Sequence, residues 1–115
     1  MTVAMVSMKQ GPRRTFIENY TEDLLNEGFV VYNELPGYLP PPTIGYFKPD
    51  ILAKNQSQKL VITVKNAEAY DKDSPELEAF RQYCSKTPGA SVLVFTIDES
   101  GERRLVESMK PQPEG

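Results

Sequence analysis

The sequence predicts an α/β fold around a mixed central sheet, and three features carry that prediction. An amphipathic stretch ends at Gly28, short apolar runs follow it, and a capped second helix separates the two longest of those runs. The element order is therefore helix, three strands, helix, strand. A strand, a helix and a strand in succession make a crossover unit, which is right-handed and leaves its two strands parallel. Function is expected near the ends of the central strands.

The first helix spans residues 12–27. Phe16, Ile17, Tyr20, Leu24 and Leu25 recur at helical spacing, and Gly28 supplies the C-cap. Residues 29–32, Phe-Val-Val-Tyr, read as the first strand, and residues 50–53 as the second. Polar residues 55–58 make a turn. The third strand, residues 59–65, is nearly all apolar in its middle, so it is expected to be central and covered on both faces. Ser74 and Pro75 suit the N-cap and first position of a helix over residues 75–85. Leu77, Phe80, Tyr83 and Cys84 form its inward stripe. Residues 90–97 make the fourth strand, 98–101 a turn, and 103–107 a short edge strand.

Residues 35–49 carry prolines and aromatics together and read as extended, polyproline-like chain. A rigid wall beside a site is the expected role. The domain boundaries that follow are a flexible arm over 1–11, one α/β domain over 12–108 and a disordered tail over 109–115.

Composition narrows the chemistry. The chain has 115 residues, the length of a single domain, and a net charge of -3. That acidity argues against a protein that coats nucleic acid nonspecifically. The charge is uneven, however: residues 48–65 carry Lys48, Lys54, Lys59 and Lys65 against Asp50 alone. Solubility lysines at strand edges are the plain alternative. Cys84 is the single cysteine and there is no histidine. Disulfides, histidine-activated nucleophiles and histidine or four-thiolate zinc sites are all excluded. Acid–base work falls to carboxylates, lysines, tyrosines or metal-bound water. Residues 1–8 lack the basic segment and cleavage pattern of a signal peptide, and no run has the length of a membrane span. A cytoplasmic protein is expected.

The candidate chemistry lies at Pro49-Asp50 and, after twelve intervening residues, Thr63-Val64-Lys65. Asp50 opens one strand and Lys65 closes the next. Thr63 and Lys65 are two apart and share a face. An aspartate, a second carboxylate and a lysine at one sheet edge suit phosphodiester cleavage. Carboxylates hold Mg2+, the metal activates water, and the lysine stabilises charge.

This pattern resembles the PD-(D/E)XK nuclease superfamily, whose restriction-endonuclease-like core has the same element order. The resemblance covers roughly residues 13–97, and archaeal Holliday junction resolvases are the nearest type, with a first helix that also ends in Gly-Phe, here Gly28-Phe29. It implies that Asp50 and Lys65 are catalytic, that Glu18 on the first helix is a further metal ligand, and that the protein is a homodimer. Thr63 departs from the family, which places an acidic residue there. A relocated glutamate is a possible substitute. Glu78 has the suggestive spacing from Lys65, whereas the helical wheel favours Glu76. Solvated helix-start carboxylates are the plain reading of both.

Three functions stay open at this stage. One is a degenerate nuclease-like domain that does not cut and binds nucleic acid or a protein, with Arg13, Arg14, Lys48, Lys54 and Lys59 as phosphate contacts. The second is an active Mg2+-dependent DNA endonuclease using Asp50, Lys65 and the relocated glutamate. The third is a protein-interaction module using the proline-rich loop. Tyr70 and Tyr83 suit base stacking or packing.

Overall fold

The computed structural model describes residues 2–109, with side chains from residue 11 onward. Its elements are α1 (Thr2–Asn26), β1 (Val30–Asn33), β2 (Ile51–Lys54), β3 (Lys59–Asn66), α2 (Pro75–Ser85), β4 (Ala90–Ile97) and β5 (Arg103–Met109). The strands form one mixed five-stranded sheet in the order β1-β2-β3-β4-β5. Only β3 and β4 are parallel, joined through α2; the other three pairings are antiparallel. The helix–three strands–helix–strand order is as the sequence predicts, with β5 added as an edge.

The two faces of the sheet are covered by different helices, which explains why β3 is apolar on both sides. Val61 joins Leu52, Val92, Leu77, Phe80 and Cys84 on the α2 face. Ile62 joins Leu24, Phe29 and Val31 on the α1 face, and Val64 meets Phe16 there. Residues 61–64 of β3 are all buried. Alternation along one strand therefore sends successive apolar side chains into two cores.

α2 runs as expected from Pro75 to Ser85, and the Ser74 hydroxyl accepts the Leu77 amide as its N-cap. α1 differs in two ways. Residues 1–11 were expected to be a loose arm, but helix begins at Thr2, because no glycine or proline interrupts residues 2–10. Gly11, at φ 54 and ψ -166, breaks that helix from the one that follows, so the expected boundary survives as a kink. Leu25 was expected inside, yet it is 45% exposed, and Thr21 is buried instead. At about 100° per residue, Phe16, Tyr20 and Leu24 centre the stripe and Leu25 falls about 140° from that centre. Thr21 earns its buried place by accepting a hydrogen bond from Asn33 Nδ2 at 2.9 Å.

The proline-rich connection folds against the sheet. Asn33 turns the chain, its side chain accepting the Leu35 amide and its own amide donating to Leu39. Ile44 and Phe47 pair as a small turn, and Gly45 beneath it approaches Ala79 of α2. β5 extends to Met109, past the expected end at residue 107, so the expected tail loses its first residue to the sheet. The rest of that tail, residues 110–115, lies outside the described residues.

Candidate functional site

The register of the β2–β3 hairpin decides which residues meet. The four-residue connection over 55–58 pairs Lys54 with Lys59 and Ile51 with Ile62. One step further puts Asp50 opposite Thr63. Asp50 Oδ2 accepts the Val64 amide at 2.7 Å and the Thr63 hydroxyl at 3.1 Å. Oδ1 accepts the Arg13 guanidinium, whose Nε also donates to the Val64 carbonyl at 3.3 Å. Asp50 thus ties α1 to the two central strands, and both its oxygens are engaged.

Lys65 follows Thr63 on the α2 face and pairs with Glu76 in the first turn of α2. Glu76 is the carboxylate that reaches this end of β3. Glu78 does not: it is 57% exposed and bonds Arg81 and Gln82 of its own helix. The helical wheel was the better guide than the sequence spacing. Glu18 bonds Arg14 one turn away and lines a separate cleft of about 300 Å³ with Thr21, Leu35 and Tyr38.

Among the described residues, no group of three or more carboxylate or thiol side chains converges on a point that would hold a metal ion. The two carboxylates at this end of the hairpin, Asp50 and Glu76, are each ion-paired and neither is free to face a metal in this arrangement. Both Asp50 oxygens accept hydrogen bonds, the Thr63 hydroxyl is given to Asp50, and Glu76 is held by Lys65. Mg2+ needs oxygen ligands free to face it.

Sequence reasoning singled out Asp50, Thr63 and Lys65 as one group; Asp50 and Thr63 are hydrogen-bonded, and Lys65 pairs with Glu76. What it missed is the partner of each charge. Arg13 is an internal ion pair rather than a free phosphate contact, Arg14 pairs with Glu18, and Lys48 with Glu34 at 3.2 Å. The hairpin register was countable from its connection. The reach of Arg13 was not, because it depends on where α1 crosses the sheet.

A cleft of about 640 Å³ adjoins this cluster at the C-terminal ends of β3 and β4. Arg13, Asn66, Glu68 and Asp98 contribute to its walls. Crevices at such strand ends are the usual ligand positions of α/β sheets. Asp98 is kept ionised to lower pH than an ordinary aspartate, first by the Ser100 hydroxyl and next by the Glu102 amide. These are turn contacts, so its perturbation is structural.

No helix among the described residues is long and apolar enough to cross a membrane. No protein-family model, curated protein or solved structure matches this chain.

Proposed function

We propose that this chain is a nuclease-like domain that does not cut and that binds nucleic acid. The observation that carries the reading is the engagement of both Asp50 oxygens by Val64, Thr63 and Arg13. Where an active nuclease of the resembled superfamily has a second carboxylate, threonine supplies a hydroxyl that donates to Asp50. Arg13 then provides the positive charge that a metal would otherwise supply. The α/β architecture and the position of Asp50, Thr63 and Lys65 at one end of the central hairpin support the resemblance. The homodimer belongs to the same proposal, and the exposed apolar residues Leu25 and Val30 are compatible with it.

Calorimetric titration of Mg2+ or Mn2+ into the chain and into Thr63→Asp tests this. The expected result is no sub-millimolar binding by the chain and binding gained by the variant. Sub-millimolar binding that Asp50→Ala abolishes would sink the reading.

One observation favours a second reading, an active endonuclease with a relocated ligand. Glu76 stands beside Lys65, as that mechanism requires. Metal-dependent cutting of duplex or branched DNA, lost in Glu76→Gln and kept in Glu78→Gln, would establish it.

A further inference from the structure

A second cleft, of about 410 Å³, lies toward the hairpin turn, at the opposite end of β2 from Asp50. Its lining includes Lys54, Lys59, Tyr32, Tyr83, Pro40 and Pro42. The proline-rich connection is thus a wall, but of this cleft.

The two lysines have no carboxylate partner among the described residues. They are direct cross-strand partners, and like charges in that position oppose each other. Lys48 and Lys65 each have a carboxylate, whereas no ion pair among the described residues involves Lys54 or Lys59. Protection of a sheet edge does not explain them either, because β2 and β3 are both interior strands. Violations of a local rule without a structural return mark functional sites.

Aromatic rings border both ammoniums. Lys54 Nζ is 5.4 Å from the Tyr32 ring centre. Lys59 Nζ donates to the Tyr83 hydroxyl at 2.9 Å and is 5.6 Å from the ring centre. Those two distances put the ammonium beyond the hydroxyl, close to the ring plane, so it does not cover the ring face. Tyrosines and prolines offer flat apolar surface, and the lysines offer charge beside it.

We infer that this cleft binds single-stranded nucleic acid, with phosphates at Lys54 and Lys59 and bases against the tyrosine and proline surfaces. The inference rests on the nucleic-acid part of the proposed function and adds the strandedness and the place. A duplex keeps its bases stacked inside and presents no free face to such a wall. An acidic peptide would use the ammoniums and leave the aromatic surface without a role.

The test is fluorescence anisotropy of a labelled ten-nucleotide oligo-dT with the full chain, in low salt and EDTA. Binding should weaken with salt at a log–log slope of about -1.4, as two phosphate contacts on a single strand predict. K54E/K59E and the milder K54Q/K59Q should lose at least about tenfold. Tyr83→Leu should lose roughly five- to a hundredfold while Tyr83→Phe binds normally. No binding by the parent chain, or unchanged binding by both lysine variants when circular dichroism shows them folded, overturns the inference. Displacement of oligo-dT by a ten-residue poly-aspartate at lower concentration than by unlabelled oligo-dT overturns it in favour of a peptide site. EDTA separates this from the metal titration, which alone decides whether the domain is a non-cutting one.

Discussion

Asp50 and Val64 are joined by a 2.7 Å hydrogen bond from the Val64 amide to Asp50 Oδ2, across the central hairpin. The same oxygen takes the Thr63 hydroxyl, and the other takes Arg13. Removing the carboxylate strands the buried Val64 amide and Thr63 hydroxyl, and an unsatisfied buried partner costs about 1–3 kcal/mol. Asp50→Ala should therefore lower stability by about 2 kcal/mol or more in urea unfolding. A loss under about 0.5 kcal/mol would mean that water replaces the carboxylate freely.

Thr63 is buried at 1% exposure beside that carboxylate. Thr63→Asp sets two carboxylates side by side, which destabilises the ionised pair. The variant should melt below the parent chain, and millimolar Mn2+ should raise its melting temperature by ligand-linked stabilisation. The parent chain should show no such rise. An equal response from both proteins would mean that the metal acts elsewhere.

Arg81 clamps α2 to β5. Its Nε and Nη2 donate to the two oxygens of Glu107 at 2.6 and 2.8 Å, and Nη2 also donates to the Lys72 carbonyl. Beyond its ladder with β4, β5 buries few side chains, and residues 103–106 are all exposed. Arg81→Met should cost about 1–3 kcal/mol. Hydrogen exchange in β5 should accelerate before exchange in β3, and uniform acceleration would show that β5 is held by its ladder alone.

Gly89 closes the chain tightly before β4. Its φ is +80, and a Cβ there would stand 2.6 Å from the Ser57 carbonyl oxygen. Both the conformation and the backbone contact oppose a side chain. Gly89→Ala should cost at least about 1–3 kcal/mol in thermal or urea unfolding.

Burial pushes the Cys84 thiol up from 9.0 to about 11, with Lys59 opposing weakly, and burial chiefly raises the Tyr20 phenol too. The folded state thus holds these protons after the unfolded chain has released them. The Cys84 contribution is complete below pH 9.0 and is lost as pH climbs through about 11, and the Tyr20 contribution is lost at alkaline pH in the same sense. Urea midpoints should fall across that window, and Cys84→Ala should flatten part of the fall. Thiol reagents at pH 8 should label Cys84 only as fast as the chain opens, since the residue is fully buried.

Much of this protein was determined by local sequence. Phe16, Tyr20 and Leu24 recur at a helical period, residues 60–64 are apolar except for Thr63, and Ser74-Pro75 starts a helix; each signal needs only its own neighbours. The pairing of Asp50 with Thr63 was nearly as local, because a four-residue connection sets the hairpin register. Tertiary structure alone decided the rest. Arg13 reaches Asp50 because of the angle at which α1 crosses the sheet beyond Gly11. The proline-rich connection lines the Lys54–Lys59 cleft because Asn33 turns it that way. Charges find partners through space, and a sequence records their type but not the packing that sets their distances.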